Sequence, residues 1–344
     1  MGRLVLQPAG RMPTRRDARV TEPPAMHRIP ADTVPRATAD IDPRTLHYGT
    51  FYGVQEPETD RPLLLVHGNC QAESLRIMLT GADVEAVRIP PVHELTAADV
   101  PHLQRLLRRT AILVSQPIHD DYHALPLGSR QLAALLPPGA RSATVPVVRF
   151  AGLYPLHAIV RPPENPSLSP PLVAYHDLLT LVTADHLRRG IDPPSLAPPT
   201  ATQVHEIAAA SREALATRER AHGSVRASDL FDAPGFDLMR TINHPGNSIF
   251  TSLAERVFAA VGIDAVPFDP QRPILTSVHA PRSAAVIRAF DLDDEPRTHW
   301  TVEGVDIEDD EVRRAHLDWY AERPGVVDAG LSRHAAALRT LGLA

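Results

Sequence analysis

Pro62-Leu63-Leu64-Leu65-Val66-His67-Gly68-Asn69-Cys70-Gln71-Ala72 is the stretch that decides the fold. Its first six residues are apolar or nearly so and show no polar/apolar alternation. A run of that length reads as a strand buried on both faces, as in a parallel sheet. Gly68 stops it. Apolar residues at Ala72, Leu75, Ile77, Met78 and Leu79 then predict a helix over 71–79, with Gly81 as its C-cap. Strand, sharp turn and helix in that order form an elbow that lifts the turn residues above the sheet.

The same alternation continues outward. Val84 to Ile89 reads as a second strand, ended by Pro90-Pro91. Thr96 can cap a helix reaching Arg109, with Val100, Leu103, Leu106 and Leu107 at helical spacing. Ala111 to Ser115 is a third strand, Ser129 to Leu136 a helix, and Ala143 to Phe150 a fourth strand broken near its start by Pro146. Strands alternating with helices imply an α/β fold with a parallel-sheet, SGNH- or flavodoxin-like core. Ligands bind at the carboxyl ends of such strands. Gly68-Asn69-Cys70-Gln71 and Ser115-Gln116-Pro117 both lie at such ends, so topology alone brings them together.

Beyond this core the chain reads as mostly helical. Helices are expected at Leu172 to Arg189, Val204 to His222, Ser248 to Val261, Asp309 to Glu322 and Ser332 to Leu341, with a strand at Ile274 to Val278. The domain reading is a mobile Pro/Arg-rich leader at 1–45, an α/β domain at 46–160, and a mostly helical region at 161–344 that contributes His244.

Composition narrows the function. The net charge is -6, which argues against a broad grip on nucleic acid. Every basic side chain is Arg or His, because the sequence contains no lysine. Schiff-base chemistry and a P-loop lysine are thereby excluded. The single cysteine excludes an intrachain disulfide and fits a reducing, cytoplasmic setting. No apolar run of membrane-spanning length is present, and Met1 to Pro30 lacks the apolar core of a secretory signal.

Cys70 is the first candidate for chemistry. At a helix N-terminus, free N–H groups and the helix dipole favour a thiolate. The amides of Gln71 and Ala72 would face an oxyanion there. The alternative is a small buried hydrophobe, but His67, Asn69 and Gln71 are polar neighbours that such a cysteine rarely needs. His244, in the turn Asn243-His244-Pro245-Gly246-Asn247, is the candidate base, with His67 as its rival. Ser115 and Gln116 end a strand and offer donors to an oxyanion or a substrate amide. Arg149 closes the fourth strand and either binds phosphate or pairs with a carboxylate. His119-Asp120-Asp121-Tyr122-His123 has a metal-like spacing but no anchored third ligand, and no metal is expected.

Four segments taken in order resemble the WcbI family of polysaccharide-biosynthesis acetyltransferases. They are Gly68-Asn69-Cys70-Gln71, Ser115-Gln116-Pro117-Ile118, Pro146-Val147-Val148-Arg149-Phe150 with Tyr154-Pro155, and Asn243-His244-Pro245-Gly246-Asn247. The resemblance implies a protein that binds coenzyme A or acetyl-coenzyme A as substrate and transfers an acyl group to a hydroxyl of a sugar, polysaccharide precursor or related metabolite. It implies Cys70 and His244 in the active centre, with Asn69 and Gln71 beside them. It sets Ser115, Gln116, Arg149 and Asn247 against the coenzyme. A looser likeness to SGNH hydrolases carries a departure, since Thr241 stands where their Asp precedes the histidine. Asp237 or Asn243 is then left to orient the ring. Two other readings stay open: a cysteine-dependent esterase or deacetylase, and a non-catalytic nucleotide- or sugar-binding protein.

Overall fold

The computed structural model describes residues 42–56, 60–162, 165, 167–195 and 197–344. Residues 1–41 of the expected leader lie outside the described residues. The last part of that leader enters a short helix, α1 (Pro43–His47), capped by the Asp42 carboxylate, and α2 (Gly49–Tyr52) follows. Phe51 of α2 is fully buried against the sheet's helical cover.

The sheet is four-stranded and wholly parallel. Its strands are β1 (Leu63–His67), β2 (Glu85–Val87), β3 (Thr110–Ser115) and β4 (Arg141–Thr144), in the order β2-β1-β3-β4. All five residues of β1 are buried. Leu64 and Val66 enter one apolar cluster, and Leu63 and Leu65 enter a second on the opposite face. This two-sided burial is why the segment shows no alternation. Helix α3 (Cys70–Leu79) returns from β1 toward β2, and α4 (Val100–Leu107) leads into β3. The short α5 (Ser129–Ala133) precedes β4. The chain reverses direction across the sheet between β1 and β3, the place where ligands sit in open parallel sheets.

Three local expectations are revised. Gly81 is not the C-cap of α3; Thr80 is. Gly81 is instead required by close packing, because a Cβ there would run into the Val266 carbonyl. Thr96 does not stand at the N-cap of α4; Asp99 does, and its carboxylate accepts from the Thr96 hydroxyl and N–H rather than from the helix. The fourth strand ends at Thr144 rather than Phe150. Pro146 has no N–H for a ladder, and the Val148 N–H and C=O are bonded to the Gln71 side chain.

The later chain contains β5 (His157–Ala158), β6 (His176–Asp177), α6 (Leu178–Arg189) and α7 (Ala201–His222). A two-residue-wide hairpin, β7 (Met239–Thr241) and β8 (His244–Pro245), leads into α8 (Asn247–Val261). Strand β9 (Val278–His279), helix α9 (Ala284–Phe290), β10 (His299–Val302) and β11 (Val305–Glu308) follow, with β9, β10 and β11 forming an antiparallel sheet that the sequence reading does not anticipate. The expected last helix starts earlier and is split: α10 (Asp309–Ala321) is followed by α11 (Pro324–Arg333) and α12 (Ala335–Leu341).

One apolar cluster runs from Leu64 and Val66 through Met78, Phe150 and Phe250 to Trp300 and Val312, so the sheet and the later helices share a core. Among the described residues, no helix is long and apolar enough to cross a membrane.

Candidate active site

The elbow after β1 holds its shape through side-chain caps. Asn69 is the N-cap of α3, and its Oδ1 accepts from Gln71 N at 2.9 Å. The Ala72 amide is bonded to Asn69 O at 2.9 Å. Both amides expected to face an oxyanion are thus already engaged in the cap. Gln116, at the end of the neighbouring strand, accepts from Asn69 N through Oε1 at 2.9 Å, and its own amide bonds to His67 O at 2.9 Å. The two strand ends therefore meet as topology requires. Gly68 is what permits it, since a Cβ there would strike the Gln116 carboxamide.

Cys70 is the first residue of α3 and is partly enclosed. Burial pushes its thiol above the ordinary value, and the N–H groups of Cys70 and Gln71 only partly oppose that. The helix start alone suggests a thiolate; in the folded chain desolvation outweighs it.

Gln71 is 3% exposed and joins three segments. Its Nε2 donates to Val148 O at 2.8 Å and to Asn243 O at 2.9 Å, and its Oε1 accepts from Val148 N at 3.0 Å. Its side chain is a clamp rather than a free donor. Across that clamp lies the turn that bears His244.

Tyr175 completes the site and is absent from the sequence reading. Its hydroxyl donates to Asn243 Oδ1 at 2.6 Å and takes the Thr241 hydroxyl at 2.9 Å. Thr241 Oγ1 also accepts from His244 N at 3.1 Å. The Tyr175 ring stands edge-on to His244, with centroids 6.1 Å apart. Burial raises the Tyr175 phenol well above its ordinary value, and the nearby Cys70 charge adds to this. Tyr175 is thus bonded to the turn that bears His244 and lies within electrostatic reach of Cys70. The only sequence signal for Tyr175 is an aromatic next to His176 in a Pro-rich stretch, which is too weak to single it out.

The His244 ring is held neutral. Burial lowers its pKa to about 4; Arg240 and His279 add to this, and the Val278 backbone opposes it. Its Nδ1 is buried with no hydrogen-bond partner. Neither residue suggested for orienting the ring does so: Asn243 Oδ1 is taken by Tyr175, and Asp237 is exposed. The rival His67 is fully buried, bonds through Nε2 to Leu127 O at 3.0 Å and is pushed down to about 4 by burial.

Ser115 points into a small knot, donating to Gln116 O at 2.8 Å and lying 3.0 Å from Ser129 Oγ. Asn247 is committed as well, to Arg240 at 3.3 Å, Ile274 N at 3.0 Å and Arg272 O at 2.9 Å. Arg149 is exposed rather than sealed inside a strand. Desolvation of its guanidinium, with the charges of Arg218, Arg333 and Arg161, holds it below the ordinary arginine value. Arg149, Ser211 and Arg333 line a cavity of about 160 Å³.

Asp120 of the metal-like segment is paired with Arg130 at 2.7 Å, and among the described residues no group of three or more His, Cys, Asp or Glu side chains is placed to hold a metal ion.

A larger cavity, about 690 Å³, is lined by Tyr154, His157, Asp177, Arg282, Arg297 and Arg314 among others. A column of rings leads from it to the site: His157 stacks on Trp300 at 4.7 Å, and Trp300 on Tyr175 at 5.7 Å.

No curated protein matches the sequence. A solved structure of WcbI has the same fold at 20% sequence identity, with a TM-score of 0.68 over 82% of this chain and 97% of that one. That structure is described as a novel polysaccharide biosynthesis enzyme, in the native form without a disulfide bond between coenzyme A and a cysteine of that protein. The family model for the polysaccharide biosynthesis enzyme WcbI matches residues 63–266, which carry β1, the Cys70 elbow, Tyr175 and the His244 turn. Since that match takes in more than half of its length, the chain belongs to the WcbI family of polysaccharide biosynthesis enzymes.

Proposed function

We propose that the protein transfers an acyl group, in the first instance acetyl, from acyl-coenzyme A to a hydroxyl of a sugar or polysaccharide precursor. The observation that carries this reading is the 2.9 Å bond from the Gln71 side chain to Asn243 O, which holds the Cys70 elbow against the turn that bears His244. The solved relative, whose description names coenzyme A and a cysteine with no disulfide bond between them, supports coenzyme A as a ligand of this fold. Arg149, with Arg218 and Arg333 near it, supplies positive charge for the coenzyme phosphates.

Cys70 with a raised thiol pKa and His244 with a lowered one rest as a neutral pair. The proton therefore moves as the bond forms, not before. His244 takes the thiol proton while sulfur attacks the thioester carbonyl. The carbon–sulfur bond to coenzyme A breaks, and the departing thiolate takes that proton. The acceptor hydroxyl then attacks the acyl-cysteine, gives its proton to His244, and the ester forms as the Cys70 sulfur recovers a proton.

Calorimetric titration with coenzyme A and acetyl-coenzyme A tests the donor, and acetyl-coenzyme A consumption with an acceptor panel tests the transfer. Saturable binding by wild type, with turnover lost in Cys70→Ala, is the expected result. Absence of binding to both forms of the coenzyme would overturn the reading.

A further inference from the structure

Four basic residues converge away from Arg149. Arg240 lies on β7, His279 on β9, and Arg282 and Arg297 on two extended segments that pair with each other. Main-chain bonds fix them: Ala280 N to Arg240 O at 2.9 Å, Arg282 N to Arg297 O at 2.9 Å, and Arg297 N to Arg282 O at 3.0 Å. All four line one cavity of about 210 Å³, together with Tyr154 and the exposed Asp237.

The charges there are poorly balanced. Arg282 is paired with Asp294 at 2.6 Å. Arg240 and Arg297 bond to carbonyl and carboxamide oxygens, namely Pro245 O, Asn247 Oδ1 and Ala280 O. Arg297 Nε is buried with no partner. Asp306 offsets Arg297 only at a distance, while Arg282 opposes it. Partly buried like charges raise the energy of the ligand-free protein, and a bound anion removes that cost.

We propose that Arg240, His279, Arg282 and Arg297 form an anion subsite for a phosphate group on a ligand. Three guanidinium forks and an imidazole suit a tetrahedral dianion with several acceptor oxygens; a carboxylate would satisfy about one fork. The subsite lies beside the catalytic turn, because Arg240 and His244 occupy the two strands of one hairpin. It goes beyond acyl transfer and does not depend on Cys70. The phosphate belongs either to a phosphorylated sugar or to the coenzyme.

The test is titration of the full chain with inorganic pyrophosphate at matched ionic strength, using wild type, Arg297→Gln, His279→Gln and, as a surface control, Arg130→Gln, each checked for folding by circular dichroism. Wild type and Arg130→Gln should bind saturably, and the other two should bind about tenfold more weakly or worse. If Arg297→Gln fails to fold, Arg282→Gln takes its place. Equal binding by all folded forms, or no saturable binding by wild type, would sink the proposal. A hexose 1-phosphate against the free hexose, and coenzyme A against its form lacking the 3′-phosphate, then identify the source. The ligand whose phosphate-dependent affinity falls in His279→Gln is the one the subsite holds. Because pyrophosphate carries no acyl group, failure here is distinct from failure of the transferase reading.

Discussion

Gln71 Nε2 and Asn243 O are joined by a 2.9 Å hydrogen bond across 172 residues of sequence. The bond ties the residue after the cysteine to the residue before the histidine. The same side chain satisfies both polar groups of Val148, so one carboxamide sets the spacing of three segments.

Gln71→Ala should therefore act on stability and site together. It leaves the Val148 and Asn243 groups unpaired, a loss of about 2–4 kcal/mol. Gln71→Glu should be nearly as costly, because a carboxylate cannot donate to the two carbonyls. Urea unfolding measures this, and an unchanged midpoint in both variants would contradict the clamp.

The ligand-free thiol should be sluggish. Burial raises its pKa, so alkylation by iodoacetamide near neutral pH should be slower than for a free cysteine, with the rate still rising beyond the usual thiol range. The rate profile against pH is the measurement. A midpoint below the ordinary value would show that the helix start wins over desolvation.

Gly246→Ala should dislodge the His244 hairpin. A Cβ there would run into Asp237 O, a main-chain atom with no freedom to yield. The expected cost is about 1–3 kcal/mol with loss of turnover. Gly325→Ala, in α11 with open space around it, should be neutral or stabilising by up to about 1 kcal/mol. Thermal melts of the two variants give the contrast.

Acid should weaken the fold between pH 6.5 and 4. Burial lowers His67, His157 and His244 to about 4 and His176 to about 3. In that window the unfolded chain binds more protons, so stability is full above 6.5 and falls as pH drops toward the folded values. Asp177, raised by burial to about 6, acts in the opposite sense and offsets part of the loss. Unfolding midpoints at pH 7 and pH 5 test the sum; a midpoint that rises on acidification would contradict it.

The sequence by itself determined the parallel sheet, the elbow at Cys70 and the meeting of Asn69 with Gln116. Uninterrupted apolar strands, glycine stops and helical spacing are local features with few structural solutions. The four-motif order also carried the family. What only the tertiary structure decided is the state of the site. Composition cannot show that desolvation overrides the helix start at Cys70, that Gln71, Ser115 and Asn247 spend their polar atoms on structure, or that Tyr175 is bonded to the turn that bears His244. Nor can it show Arg240, His279, Arg282 and Arg297 on one cavity. These are long-range juxtapositions, set by how distant segments pack, and burial and charge at each group depend on neighbours that the local sequence does not name.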